Sequence, residues 1–320
     1  MRVVFWGTRG SLPRAVGADA VREKVRRAVE AALESGLAFG DDVDAFLSSL
    51  PFDVLSTFGG STPCVEIRTG EPRELLVLDA GTGLRDLSVH LGRAGPSPPL
   101  RVHLLLSHLH WDHIQGFPFF TPAYVPGNEI HVYGCHDGIE EAFRRQQEAP
   151  FFPVPLGAMG ASIAFHRLDV VEPATIAGFG VTSFLQNHPG NSYGYLLERD
   201  GTRVVYSTDS EHYDEAFEDG YPFVDMARDA DLLVFDAAYS LADQLDSKKD
   251  WGHSSNTVGV ELAMRAGVRR LCLFHHDHAL GDDALERIRE ETAEYLEIFA
   301  GDDGPGLEIV MAYDGLEIEL

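Results

Sequence analysis

The segment Ser107-His108-Leu109-His110-Trp111-Asp112-His113 constrains this chain more than any other, because three imidazoles and a carboxylate fall within six residues, directly after the apolar run Val102 to Leu106. Buried polar rings need partners, and four such groups crowd one another unless something positive lies between them. A bound cation meets that need. Alternation at the end of a strand lets His108 and His110 point to one side, while Asp112 and His113 fall on the following turn and reach a second point nearby. Nitrogen and oxygen ligands without thiolate suit zinc, manganese or iron, and two such ions roughly 3.5 to 4 Å apart make a hydrolytic centre.

Charge narrows the partners. The 320 residues carry 25 Lys plus Arg against 51 Asp plus Glu, a net charge of −26, which argues against a surface that grips a long polyanion by neutralising phosphates. Long RNA or DNA is therefore not expected, although a local basic pocket can still hold a small phosphorylated ligand. The hydrophobic share of 44% is ordinary for a globular chain. Three widely spaced cysteines, Cys64, Cys135 and Cys272, give neither a disulfide framework nor a thiolate zinc site. The N-terminus enters Arg2-Val3-Val4-Phe5-Trp6 without a basic region, cleavage site or long apolar span, so a cytoplasmic protein that avoids membranes is expected.

Along the chain, Arg2 to Trp6 reads as a buried strand ending in Gly7-Thr8-Arg9-Gly10-Ser11, where Arg9 is either a phosphate contact or an exposed loop residue. From Asp19, a candidate N-cap, to the stop at Gly36, helical spacing places Val21, Val25, Val29, Ala32 and Leu33 on one stripe. A second helical piece runs from Asp41 to Leu50. Together they make a helical insertion over about 14–57, expected to pack on the core through that stripe, with a lid or a homodimer contact as the other roles. Strand Leu75 to Leu78 ends in Asp79, which either orients a ligand histidine or caps the helix starting near Leu84. The aromatic run Phe117, Phe119, Phe120 and Tyr124 is read mainly as core beside the metal motif.

The second half repeats the pattern of strands ending in candidate ligands. His188 follows the strand Val181 to Leu185, Asp209 follows Val204 to Tyr206, and Asp236 ends Leu232 to Phe235 as a supporting carboxylate. His253 precedes a helix closed by Gly267, and Val268 to Phe274 is a buried strand ending in His275-His276-Asp277-His278. The last helix opens at Asp283 with Glu286 three residues on, a capping-box pattern. With no repeat, low-complexity tract or interdomain linker, residues 1–320 read as one domain of two halves.

In this order, His108, His110, Asp112, His113, His188, Asp209 and a late strand-end histidine resemble the metallo-β-lactamase superfamily over nearly the whole chain. The resemblance implies an α/β fold, an αββα sandwich with the metal centre at one edge. Asp209, where the β-lactamases proper commonly have cysteine, together with Phe5 to Ser11, Gly59 to Thr62, Leu78 to Gly83, Gly252 to Ser255 and Leu273 to His275, is similar to the phosphodiesterase branch that includes ribonuclease Z and the phosphoribosyl cyclic phosphodiesterase. Carried over by position, His108, His110 and His188 would hold one metal, Asp112, His113 and His275 the other, and Asp209 would bridge them. The implied cofactors are two divalent metal ions, zinc foremost. Asp112 would orient the attacking water and His253 would protonate the leaving group. His276 and His278 depart from the pattern and leave open which member of that cluster binds. The expected activity is hydrolysis of a small phosphodiester, such as a cyclic nucleotide, cyclic dinucleotide or sugar cyclic phosphate. A lactone or thioester hydrolase, a ribonuclease Z-like RNA endonuclease, and a noncatalytic sensor with a decayed site are the rival readings.

Overall fold

In the computed structural model, which describes residues 1–93, 99–239, 250–301 and 306–320, two sheets face one another. One has the order β14-β1-β2-β3-β4-β5-β6, built from β1 (Arg2–Gly7), β2 (Cys64–Arg68), β3 (Glu74–Leu78), β4 (Arg101–Leu105), β5 (Glu129–Gly134), β6 (Ser162–Arg167) and β14 (Glu317–Glu319). The other has the order β13-β12-β11-β10-β9-β8-β7, from β7 (Ala174–Ile176), β8 (Phe179–Gln186), β9 (Ser192–Arg199), β10 (Thr202–Ser207), β11 (Leu232–Asp236), β12 (Arg270–Phe274) and β13 (Glu308–Met311). The helices are α1 (Ala18–Ser35), α2 (Val43–Ser48), α3 (Phe52–Leu55), α4 (Gly83–Arg93), α5 (Trp111–Ile114), α6 (Ile139–Gln146), α7 (Pro222–Met226), α8 (Asn256–Ala266) and α9 (Asp282–Ala300). Among the described residues, no helix is long and apolar enough to cross a membrane.

The central strands read as unbroken apolar runs because both of their faces are covered. Val3, Phe5, Leu76, Leu78, Tyr206, Val234 and Phe274 fill the space between the sheets. Their neighbours Leu75, Val77 and Leu104 pack outward with Leu84 and Leu87 of α4 and Phe143 of α6, while Val205, Leu233, Phe235 and Leu271 pack with α8 and α9. Each fully buried side chain of this kind contributes about 1.5–3 kcal/mol relative to exposure. The layers are therefore helix, sheet, sheet, helix, and the expected αββα sandwich is the one observed. Phe117 and Phe120 belong to the outer core, as expected, whereas Phe119 is exposed.

Three local expectations are corrected. The stripe of α1 does not face the core: Val21, Val25, Val29 and Leu33 are exposed, Leu33 by 77%. The helix is fastened instead by its polar side, where Lys24 bonds the Ser56 carbonyl at 2.8 Å and the Asp282 carboxylate at 2.8 Å, and Arg27 bonds Asp53 at 2.5 Å. Asp19 lies within the first turn, with Gly17 as N-cap. The capping box of the last helix does not form, since α9 starts at Asp282 behind Gly281. The Asp282 carboxylate accepts from Thr57 Oγ1 and the Phe58 N–H, both at 3.1 Å, so tertiary bonds take the place of a cap.

Candidate metal centre

Every motif residue sits just past the end of a strand, on one edge of the sandwich. His108 and His110 follow β4, and Asp112 and His113 lie on the single turn of α5. His188 follows β8, Asp209 follows β10 and His275 follows β12. Ligand atoms of His108, His110 and His188 lie within 4.8 Å of one another, and so do those of Asp112, His113, Asp209 and His275. Asp209 faces both sets. Its Oδ2 is 3.7 Å from His108 Nε2 and 3.7 Å from His188 Nε2, while its Oδ1 is 3.1 Å from His113 Nε2 and 3.1 Å from His275 Nε2. Asp112 Oδ2 closes the second set at 3.3 Å from His113 Nε2 and 3.4 Å from His275 Nε2.

Three of these nitrogens, His108 Nε2, His113 Nε2 and His275 Nε2, are buried without a hydrogen-bond partner. An orphaned donor or acceptor costs about 1–3 kcal/mol, so their convergence on two buried carboxylates fits a divalent cation at each set. The electrostatics agree. Burial pushes His108, His110 and His188 below the ordinary imidazole range, toward the neutral form that binds metal. Burial also opposes charge on His113, but Asp209, Asp112 and Asp79 outweigh it and raise the group well above its ordinary value, which marks a place that demands positive charge.

The surrounding residues fix these rings. Asp79 accepts from the Ser107 N–H at 2.7 Å and from Ser107 Oγ and Tyr206 OH at 2.8 Å, and its Oδ2 lies 2.8 Å from His113 Nδ1. It therefore orients His113, a member of the candidate ligand set. His188 Nδ1–H donates to the Gly252 carbonyl at 2.8 Å, leaving Nε2 for the centre. Asp236 Oδ2 lies 2.8 Å from His253 Nδ1; burial lowers that imidazole, yet Asp236 outweighs it and lifts the pKa to about 9. Asp79, Asp209 and His275 all have positive φ, 59°, 46° and 59°. Such non-glycine strain costs of order 1–3 kcal/mol each and persists where surrounding bonds over-determine the backbone, as they do here.

Several placements differ from the sequence reading or go beyond it. Arg9 is neither a phosphate contact nor exposed: its guanidinium is buried and donates to the carbonyls of Gly59, Asp277 and Leu280 at 3.0, 3.2 and 2.9 Å. His276 turns away, bonding the Ala312 carbonyl at 2.8 Å, with burial and Arg9 lowering it to about 3. His278 lies 3.6 Å from Asp277, so His275 is the member of that cluster brought to the centre. Sequence reasoning missed Glu211, a buried carboxylate that accepts from the Asp250 N–H at 2.8 Å and the Gly252 N–H at 2.9 Å. It also missed Ser11, whose N–H reaches Asp112 Oδ2 at 2.8 Å. The polar run Asp209-Ser210-Glu211-His212 after a strand was the available signal for Glu211.

Gly252 combines these constraints. Its φ is +84°, and a Cβ there would lie 2.3 Å from His188 Nδ1. Gly252→Ala is therefore expected to swing His188 away and cost about 10- to 100-fold in metal affinity, the usual effect of disturbing a ligand's support. Chelator competition on the folded variant measures it, and an unchanged affinity would show that His188 does not depend on this loop.

An αββα sandwich with its ligand-bearing strand ends gathered at one edge is the architecture of a metal-dependent hydrolase of the metallo-β-lactamase type. The profile of the beta-lactamase superfamily domain matches residues 75–276, and the chain belongs to that superfamily, in the branch that includes ribonuclease Z. It is 25% identical to the ribonuclease Z of Halorubrum lacusprofundi over 315 residues, covering 78% of this chain and 94% of that protein. Among solved structures, the metallo-beta-lactamase fold protein YhfI of Bacillus subtilis aligns over 100% of this chain and 99% of its own, with a TM-score of 0.65 at 19% identity. A diphosphatase from the PhnP family aligns over 100% and 97%, with a TM-score of 0.61 at 19% identity.

Proposed function

We propose that this protein is a two-metal phosphodiesterase acting on a small phosphodiester such as a cyclic nucleotide, cyclic dinucleotide or sugar cyclic phosphate. The observation that carries the reading is Asp209, which presents one oxygen to each of two imidazole sets, among which His108 Nε2, His113 Nε2 and His275 Nε2 are buried without a hydrogen-bond partner. His108, His110 and His188 would hold one cation, Asp112, His113 and His275 the other, and Asp209 would serve both. Nitrogen and oxygen donors of this kind suit zinc foremost, with manganese or iron also compatible. Bound divalent ions would supply an ionised water and neutralise charge developing on phosphorus.

The chain's own residues supply the rest. Asp112, held by the Ser11 N–H, orients the attacking water. As the new P–O bond forms and the bond to the departing alcohol breaks, His253 gives that oxygen a proton, and Asp236 keeps the imidazole aimed. A cavity of about 240 Å³ beside the centre is lined by Tyr239, Trp251, His253 and His275, a volume suited to a small substrate. The names of the ribonuclease Z relatives favour a second reading, cleavage of RNA. Against it stands the charge of −26, which leaves little positive surface for a long polyanion.

The test is turnover of cyclic mono- and dinucleotides, bis(p-nitrophenyl) phosphate and acyl lactones by protein whose metals have been counted. Diester hydrolysis lost on chelation and restored by zinc or manganese is expected. Full activity in the chelated sample would end the two-metal reading, and lactone turnover exceeding every diester would move the activity to acyl transfer.

A further inference from the structure

Glu211 is a buried carboxylate that the chemistry assigned above does not use. It follows Asp209 by two residues, and its segment runs between the loop of His188 and the loop of His253. On one side, the Glu211 N–H donates to the Asn187 carbonyl at 2.9 Å and Asn187 Nδ2 donates to the Glu211 carbonyl at 3.2 Å. On the other, the Asp250 N–H donates to Glu211 Oε1 at 2.8 Å and the Gly252 N–H to Oε2 at 2.9 Å, while Ser254 Oγ donates to the Ser210 carbonyl at 2.6 Å. The backbone of Glu211 thus holds the residue before His188, and its side chain holds the residue before His253.

Gly252 is where the two attachments meet. Its N–H rests on Glu211, its carbonyl accepts from His188 Nδ1 at 2.8 Å, and the next residue is His253, whose Nδ1 lies 2.8 Å from Asp236 Oδ2. Glycine is the residue whose backbone is freest, and here its φ is +84°. With the N–H fixed on one side and the carbonyl on the other, the direction in which His253 leaves the loop is set. The anchor has to be a carboxylate: an amide has one oxygen, so it would turn its own N–H donors toward one of the two backbone N–H groups. Bonds from N–H groups to ionised oxygen are the strong, charge-assisted kind, and they offset the cost of burying the charge.

We propose that Glu211 is the positioning residue that sets His188 and His253 together, by holding Gly252 between them. The proposal rests on the roles given to those two histidines above and does not depend on which diester is cleaved.

Glu211→Gln tests it, with Glu211→Asp as a second variant that keeps the charge and loses the reach to both N–H groups. Tyr213→Phe is the control, since Tyr213 OH donates to Asp250 Oδ1 at 2.9 Å on the same loop and its loss leaves both N–H bonds in place. In chelator competition on protein shown to be folded by circular dichroism, either Glu211 variant should hold metal about 10- to 100-fold more weakly, the usual effect of removing a ligand's support. The control should stay within about twofold of wild type. In metal-saturated protein, Glu211→Gln should lower kcat about 10- to 100-fold on a cyclic nucleotide, and far less on bis(p-nitrophenyl) phosphate, whose leaving group scarcely needs the proton. Added to His253→Ala, the same substitution should cost nothing further on the cyclic nucleotide. Wild-type metal affinity in both Glu211 variants would overturn the hold on His188, and equal losses on the two esters would overturn the hold on His253. A wild-type protein that turned over neither ester would defeat the phosphodiesterase reading, and the affinity comparison would still decide the role of Glu211 toward His188.

Discussion

Replacing Asp209 with Ala is expected to remove metal and activity together, with kcat/KM on any diester falling at least about a thousand-fold, since the several kcal/mol of charge stabilisation that divalent ions supply would leave with them. Asp209 presents one oxygen to each imidazole set, with Oδ2 3.7 Å from His108 Nε2 and Oδ1 3.1 Å from His275 Nε2. His110→Ala removes a candidate ligand from one set only, so its metal content is expected to fall by about one ion while the second set keeps its own. Metal analysis beside steady-state kinetics separates the two variants. An Asp209→Ala protein that kept both metals and most of its activity would show that the two sets are not joined through this carboxylate.

His253→Ala is expected to keep its metals and lose roughly 10²- to 10⁴-fold in kcat on esters whose leaving group is an alkoxide, the range for a positioned general acid. A nitrophenolate scarcely needs a proton, so the same variant should lose far less on bis(p-nitrophenyl) phosphate. The geometry behind this is the 2.8 Å contact between His253 Nδ1 and Asp236 Oδ2. His253 also lies within ligand reach of His188 and Asp209, which makes metal content the deciding control. Equal losses on both substrates would reduce His253 to a phosphate contact, and metal loss would make it a ligand.

The parts of this molecule legible in the sequence are those written in contiguous residues. The motif from His108 to His113, the strand ends at His188, Asp209 and His275, and the second half's alternation of strand and polar turn all occur in the structure where they were expected. What stayed hidden depends on residues far apart in the chain. Arg9 looked like a loop cation because its carbonyl partners at Gly59, Asp277 and Leu280 lie 50 to 271 positions away. The α1 stripe was misread for a different reason: periodicity shows that a helix has an apolar side, and only packing decides whether that side faces the core. Asp282 shows the same limit, since a carboxylate at a helix start was claimed by Thr57, Phe58 and Lys24. The short strands β7, β13 and β14, of 3, 4 and 3 residues, are too brief for an alternating pattern and exist through pairing with their neighbours.

The assignment of small diesters over RNA rests on the surplus of 51 acidic over 25 basic residues, which leaves little surface for counterion release along a long backbone. The direct measurement is kcat/KM for a cyclic nucleotide and for a precursor transfer RNA, taken on one metal-loaded preparation at the same ionic strength. The account predicts that the small diester is the better substrate. Faster processing of the precursor than of every small diester would contradict it.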